Sequence, residues 1–222
     1  MRARSAEIGA SAAPPNLVPV TPDPPHLGSG GDEADDCALI ATLRRTALAL
    51  KQSDVPFALG GSFAAHARGG PRPTHDVDFF IRPEDRDRAA AVLEAAGLRV
   101  EQPALDWLFK AFDGEELADV IYAPVGSSVG RDLLDRADAL DVAALRMPVL
   151  AATDLMTFKL LTFSEHNCDF AAALPTARAL REQVDWAAVA DATAHSPYAG
   201  AFLDLLARLS VLPSAAQARG PA

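Results

Sequence analysis

The chain has 222 residues, of which 50% are hydrophobic, and it carries a formal net charge of −10 with a pI near 4.9. This length and apolar content are sufficient for one large hydrophobic core and a small second subdomain. The acidic balance argues against a protein that holds nucleic acid by bulk positive charge, although a local basic patch is compatible with it. Lysine is scarce, since Lys51, Lys110 and Lys159 are the only three in the sequence.

The cysteines and the hydropathy pattern predict a cytoplasmic protein. Cys37 and Cys168 lie far apart and form no CxxC motif, so neither a disulfide framework nor a cysteine zinc site is expected. The first residues lack the continuous apolar segment of a signal peptide. Because no apolar run approaches the ~18 residues of a membrane span, no membrane partner is expected.

Composition divides the chain into four predicted regions. Residues 1–34 are rich in proline, glycine, serine and alanine, which predicts a disordered leader. Residues 35–150 alternate between helical and strand patterns and are predicted to form an α/β (α+β) core. Residues 151–212 are almost entirely helical in pattern, which predicts a C-terminal helical subdomain. Residues 213–222 are predicted to be a disordered tail.

Helices and strands alternate in the predicted core, which favours a mixed sheet flanked by helices. Asp113 and Gly114 predict a hairpin turn between the last two of its strands. In chain order the predicted elements are a helix over 35–52, a strand over 56–61, a helix over 62–70, a strand over 76–81, a helix over 82–97, and strands over 98–102, 106–112 and 117–123.

The C-terminal region is predicted to contain four amphipathic helices after a strand-like segment over 147–150. Thr153 is expected to cap the first helix through its side-chain oxygen. The predicted helices cover residues 153–166, 169–183, 185–194 and 196–212.

One stretch of the core combines a phosphate-binding turn with a pair of acids. A strand that runs through Gly60, Gly61 and Ser62 into a helix directs free backbone N–H groups at one point, and its glycines allow a bulky anion to approach. Side chains at i and i+2 of a strand share a face, so Asp76 and Asp78 are expected to point the same way. A divalent cation such as Mg²⁺ would make this proximity favourable.

A third carboxylate is expected from a neighbouring strand. Asp119 lies inside the otherwise apolar segment LADVIYA, where burial without a partner is costly. Phosphoryl-type transfer with two metal ions uses such an acid to hold the catalytic metal and to help remove a proton from the attacking hydroxyl. A solvated pair of acids and an exposed acid on an edge strand are the structural alternatives for these residues.

The pattern GGS…RxTxDVDF, with Asp119 further on, resembles the nucleotidyltransferase superfamily with the DNA-polymerase-beta-like palm. The segment DLMTFKLLTFSEHNCDFAAAL resembles the AbiEii-like nucleotidyltransferases, whose members include toxins of type IV toxin–antitoxin systems. This resemblance implies that Lys159 and Asp169 complete the active site. A lysine on a helix face and a helix-capping aspartate are the alternatives for these two residues.

The resemblance implies an enzyme that uses an NTP with Mg²⁺ or Mn²⁺ and moves an NMP to an acceptor hydroxyl. The acceptor is expected to be tRNA, with an antitoxin as a partner protein, or alternatively a small molecule of the antibiotic type. A nucleotide-binding pseudoenzyme or partner-binding module is the rival from another class. The implied metal ligands are Asp76, Asp78 and Asp119, joined by Lys159 in catalysis, and the implied nucleotide-binding residues are Gly60, Gly61, Ser62, Arg72, Thr74, Lys159 and Asp169.

The two tryptophans, Trp107 and Trp186, are expected to belong to the hydrophobic core rather than to a stacking surface for a ligand. Arg72 is interpreted equally well as a phosphate contact and as a structural salt-bridge residue.

Overall fold

The computed structural model describes residues 30–73, 76–103, 106–124 and 128–212 of the chain. Within these residues seven strands form one mixed sheet in the order β3-β4-β5-β2-β1-β7-β6. The pairs β2–β5 and β1–β7 are parallel, and the other neighbouring pairs are antiparallel. The strands are β1 (Phe57–Leu59), β2 (Val77–Ile81), β3 (Arg99–Glu101), β4 (Leu108–Asp113), β5 (Glu116–Ile121), β6 (Asp138–Val142) and β7 (Leu145–Val149).

Eight α-helices are described, together with a short 3₁₀ helix over Pro83–Asp85. The first, α1, contacts β5, β2 and α3, whereas α2 contacts β2 and α5. The helix α5 also contacts the three helices that follow it. The bounds are α1 (Gly30–Gln52), α2 (Gly61–Ala67), α3 (Arg86–Ala95), α4 (Arg131–Asp135), α5 (Ala152–Leu161), α6 (Phe170–Leu180), α7 (Trp186–Ala192) and α8 (Pro197–Arg208).

The central strands are apolar because they are covered on both sides. Phe79 in β2, Phe109 in β4 and Val120 in β5 are all fully buried. This burial explains the nearly continuous hydrophobic runs of these segments, since a strand covered on both faces loses its polar alternation. The mixed sheet flanked by helices confirms the predicted fold class.

Side-chain caps define the starts of the last three helices. Asp169 accepts a hydrogen bond from the backbone N–H of Ala172 at 3.0 Å at the start of α6. Asp185 and Ser196 occupy the same position before α7 and α8 and accept from backbone N–H groups of those helices. Each cap satisfies donors that a helix start leaves without an intrahelical partner.

The cap predicted for α5 is wrong. The helix begins at Ala152, and its N-cap residue Ala151 makes no side-chain hydrogen bond. The Thr153 hydroxyl instead accepts a hydrogen bond from the backbone N–H of Asp185 at 3.0 Å. Thr153 therefore ties α5 to the start of α7, a long-range contact that local sequence spacing cannot predict.

The structure adds two elements that the sequence pattern did not predict, α4 and β6. The strand β6, with the sequence DALDV, lies at the edge of the sheet and is mostly exposed, so it lacks the apolar pattern of a buried strand. The helix α1 begins at Gly30, five residues before the predicted start at residue 35. Two glycines at that end are poor helix formers, which explains the difference.

The predicted leader lies outside the described residues up to position 29, as does the predicted tail from position 213 onwards. The division into four regions therefore stays a prediction. Among the described helices, none is both long and apolar enough to cross a membrane.

Candidate active site

Three carboxylates gather at one point of the sheet. The parallel pairing of β2 and β5 places Asp78 directly opposite Asp119, and Asp76 immediately precedes β2. One carboxylate oxygen from each of the three residues lies within 4.8 Å of the other two. The structure thus brings together the acids that the sequence analysis selected.

The glycine turn packs directly against this acid cluster. The backbone N–H of Gly60 donates to the carbonyl oxygen of Asp78 at 2.8 Å. Gly61 has a φ of +55°, and a Cβ atom at this position would lie 2.7 Å from Asp78 Cγ and even closer to a carboxylate oxygen. A Cβ on Gly60 would lie 2.6 Å from a ring carbon of Phe80. Both glycines are therefore needed because β2 passes too close for any side chain.

Two of the three acids, Asp78 and Asp119, have raised pKa values. Burial raises the pKa of the Asp78 carboxyl from 3.8 to about 7, and the charges of Asp76 and Asp119 add to this increase. The positive charges of Lys159 and Lys110 act in the opposite direction. Burial also raises the pKa of Asp119, which is only 9% exposed. Such a crowded set of acids is stabilised by a bound cation.

Lys110 is a site residue that the sequence analysis missed. It lies opposite Asp119 in the antiparallel register of β4 and β5, and its Nζ donates to Asp119 Oδ1 at 3.0 Å. This hydrogen bond lowers the pKa of Asp119 against the effect of burial. The available signal was the scarcity of lysine combined with the position of Lys110 between buried residues of a strand.

The hydroxyl of Ser62 is buried, whereas Arg72 is exposed to solvent. The Ser62 hydroxyl oxygen is buried and has no hydrogen-bond partner among the described residues. Such an unpaired buried hydroxyl is costly unless a ligand completes it. Arg72 is exposed in the segment between α2 and β2. The predicted nucleotide contact Thr74 lies outside the described residues.

The charge of Lys159 acts on Asp78, whereas the carboxylate of Asp169 caps a helix. Lys159 is exposed in the last turn of α5, and its charge lowers the pKa of Asp78. The carboxylate of Asp169 caps α6. No hydrogen bond or ion pair in the described part of the chain joins Asp169 to the three acids, and its proposed role at the site stays a prediction.

A cleft of about 620 Å³ adjoins the acid cluster, and Asp78 is part of its lining. The cleft extends between the end of β5 and the outer part of α5, where Phe158 stacks on Phe80 with ring centroids 5.2 Å apart. The Phe80 ring also contacts Gly60, so the glycine turn, β2 and α5 are packed as one unit.

The prediction that Trp107 belongs to the core is wrong. Trp107 is 38% exposed, and its side chain lines the cleft. Trp107 lies in the turn before β4 rather than inside the strand, so the alternation of the strand does not direct it inward. The expectation for Trp186 is confirmed, because this residue is buried and packs within the core.

The residues of the site fit a divalent cation and a triphosphate. Mg²⁺ binds oxygen ligands at about 2.1 Å, which places its ligands within roughly 4 Å of each other, close to the spacing found among the three acids. The Asp78 carboxylate lies against Gly61, and the unpaired hydroxyl of Ser62 lies in the same turn. This donor set of carboxylates, backbone amides and a hydroxyl suits a metal-bound phosphate chain.

The fold resembles those of solved nucleotidyltransferases. The chain is similar to ANT(2″)-Ia in complex with adenylyl-2″-tobramycin, with a TM-score of 0.53 and 18% identity over 74% of this chain and 97% of that one. The solution structure of the antibiotic-resistance factor ANT(2″)-Ia gives a TM-score of 0.53 and 18% identity over 81% and 96% of the two chains. The lincosamide antibiotic adenylyltransferase LnuA with bound lincomycin gives 0.45 and 12% over 64% and 93%.

No protein-family model matches the sequence, and no curated protein sequence matches it either. At 18% identity the similarity to ANT(2″)-Ia establishes the fold that the two chains share. Any activity has to be argued from the residues of the site.

Proposed function

We propose that this protein is a nucleotidyltransferase that depends on Mg²⁺ or Mn²⁺ and transfers an NMP from an NTP to an acceptor hydroxyl. The observation that carries the proposal is the meeting of Asp76, Asp78 and Asp119 within 4.8 Å, beside a turn that lacks side chains. Three carboxylates held this close repel one another and destabilise the fold, and a bound divalent cation would remove this repulsion.

The chain's own residues divide into those that hold the metal and those that bind phosphate. Asp76, Asp78 and Asp119 hold the divalent cation, which when bound neutralises the triphosphate and makes the acceptor hydroxyl easier to deprotonate. Gly60 and Gly61 let the Asp78 carboxylate and β2 lie against the turn, and the backbone of this turn is assigned to contacts with the phosphate chain. The Ser62 hydroxyl donates to a phosphate oxygen. The remaining contacts to the triphosphate are assigned to Arg72, Thr74, Lys159 and Asp169.

The transfer is an in-line displacement at the α-phosphorus. The acceptor oxygen forms a bond to the α-phosphorus, the bond from phosphorus to the bridging oxygen breaks, and pyrophosphate leaves with that electron pair. The hydroxyl proton passes to the carboxylate of Asp119, which Lys110 orients through its 3.0 Å hydrogen bond. Positioning and electrostatic stabilisation supply most of the catalysis in reactions of this kind.

The acceptor is proposed to be a small molecule. The cleft that adjoins Asp78 encloses about 620 Å³, a volume typical of small-molecule sites. ANT(2″)-Ia, which has a similar fold, is solved with an adenylylated tobramycin. Incubation with α-³²P-labelled NTPs and a small-molecule cell extract is expected to yield labelled products in the low-molecular-weight fraction.

A second candidate is a toxin of a type IV toxin–antitoxin system that acts on tRNA and is neutralised by an antitoxin. What favours it is the resemblance of the segment around Lys159 to the AbiEii-like proteins, together with the position of Lys159 near enough to Asp78 to lower its pKa. Total tRNA in the same labelling reaction separates the candidates. Label that enters tRNA and not the small-molecule fraction would support the toxin.

Calorimetry distinguishes both enzymes from a nucleotide-binding pseudoenzyme. Each NTP is titrated into the protein with Mg²⁺ and, separately, with EDTA. Metal-dependent binding together with label transfer supports the enzyme. Tight binding without transfer to either acceptor class supports the pseudoenzyme, and binding that EDTA leaves unchanged contradicts the metal site.

A further inference from the structure

We infer that the cleft beside Asp78 selects a hydroxyl-bearing molecule with a flat apolar face, and that Trp107 is the surface on which this face stacks. The inference rests on the proposed function in treating the bound molecule as the acceptor.

The described lining of the cleft is mainly apolar. Only the carboxylates of Asp78 and Asp106 and the hydroxyls of Ser128 and Thr162 add polar character to it. The apolar side chains that line the cleft are those of Trp107, Ile121, Ala123, Pro124, Phe158 and Leu161. Such a lining favours the burial of apolar surface, while a few polar groups fix the orientation of the ligand.

The two carboxylates in this lining have different surroundings. Asp106 Oδ1 accepts hydrogen bonds from the Arg86 guanidinium at 2.9 Å and from the Tyr122 hydroxyl at 2.8 Å, and the Asp106 side chain remains 81% exposed. Asp78 belongs to the acid cluster that the metal occupies in the proposed function. These two acids can orient a hydroxyl-bearing ligand against the otherwise apolar lining.

The same lining does not suit nucleic acid. It contains no lysine or arginine among the described residues, whereas binding to RNA depends on basic groups that neutralise phosphates. The described lining of the cleft therefore favours a small molecule over a polyanion.

Trp107 is held in place although its side chain is partly exposed. Its carbonyl oxygen accepts hydrogen bonds from the backbone N–H groups of Tyr122 at 3.0 Å and Ala123 at 3.1 Å. A large aromatic residue that is 38% exposed on a fixed backbone is preorganised to stack on a ligand, since little conformational entropy is lost on binding.

The stacking surface is tested with two sugars that differ only in their apolar face. Phenyl β-D-glucoside carries four hydroxyls and a flat ring, and methyl β-D-glucoside carries the same hydroxyls without the ring. Binding to the full-length protein is followed by tryptophan fluorescence and by calorimetry, with Trp186→Phe removing the signal of the buried indole. We expect phenyl glucoside to bind at least about tenfold more tightly than methyl glucoside.

The variants at position 107 separate stacking from folding. Trp107→Ala is expected to abolish the preference for the phenyl sugar. Trp107→Phe is expected to remove the fluorescence response but to keep most of the calorimetric affinity, because it retains a flat ring.

Two results would overturn the inference. They are equal binding or no binding of the two sugars, and a preference that persists in Trp107→Ala. Mg²⁺-ATP affinity is measured separately on the same protein. If ATP fails to bind while the Trp107-dependent preference is present, the proposed function is wrong and the cleft assignment stands. If ATP binds and the preference is absent, the inference alone is wrong.

Discussion

Asp78→Asn is expected to stabilise the metal-free protein at neutral pH while it abolishes nucleotidyl transfer. The carboxylate of Asp78 is buried beside Asp76 and Asp119 and against the Cα of Gly61, and burial together with the two acids raises its pKa to about 7. A negative charge in this place destabilises the folded state. Asparagine keeps the shape of the side chain but carries no charge, so the repulsion disappears together with a metal ligand.

The size and pH range of the stabilisation follow from the two pKa values. Between about pH 4 and pH 7 the folded protein binds one proton more than the unfolded chain at Asp78, so its free energy of unfolding falls by about 1.4 kcal/mol per pH unit as the pH rises. A pKa raised from 3.8 to about 7 corresponds to a destabilisation of up to about 4 kcal/mol, fully present above pH 7. The gain in Asp78→Asn is therefore largest near pH 8 and vanishes near pH 4.

Urea unfolding in EDTA measures this gain at several pH values. Each kcal/mol corresponds to roughly 2–4 °C in Tm for a protein of this size, so thermal unfolding gives an independent reading. Asp87→Asn, which changes an exposed carboxylate on α3, is the matched control and is expected to alter stability by less than about 0.5 kcal/mol. A gain that is absent at pH 8, or equal at pH 5 and pH 8, would refute the reasoning.

Three further substitutions test other parts of the site. Gly61→Ala is expected to lower kcat by about a hundredfold, because the new Cβ displaces the Asp78 carboxylate. Its control is Gly114→Ala, where φ is +66° and the surrounding space is open, so this variant should lose stability but keep its activity. Lys110→Met is expected to lower kcat about tenfold or more, because Asp119 loses its charge-assisted hydrogen bond. Lys110→Arg should recover part of the activity, and an unchanged kcat in Lys110→Met would contradict the positioning role of Lys110. Lys159→Ala is expected to raise the KM for Mg²⁺-NTP about tenfold. Lys51→Ala is the control and should leave this KM unchanged, because the Lys51 ammonium bonds the Arg146 carbonyl. Equal effects in both variants would argue against a phosphate contact of Lys159.

Local patterns were sufficient to predict the acids and the elements that carry them. Asp76 and Asp78 are two residues apart at the start of an apolar run, and this spacing alone places them on one side of the chain. Asp119 was selected because an acid in an apolar strand is costly to bury. The pairing of β2 with β5, which puts Asp78 opposite Asp119, confirms that these three belong together in space.

Residues whose place depends on tertiary contacts could not be predicted in the same way. Lys110 faces Asp119 only because β4 and β5 pair in one register. Thr153 bonds a residue 32 positions away rather than its own helix. Trp107 is exposed because it lies in the turn before β4 and lines a cleft that α5 closes from the other side.

The most direct test of the central claim is the binding of Mn²⁺ to the acid cluster, followed by electron paramagnetic resonance in the presence of a non-hydrolysable NTP analogue. The proposed function predicts that wild-type protein binds Mn²⁺ together with the analogue and that Asp78→Asn and Asp119→Asn each remove most of this bound metal. Bound Mn²⁺ at the same level in wild type and in both variants would contradict the assignment of these carboxylates as the metal site.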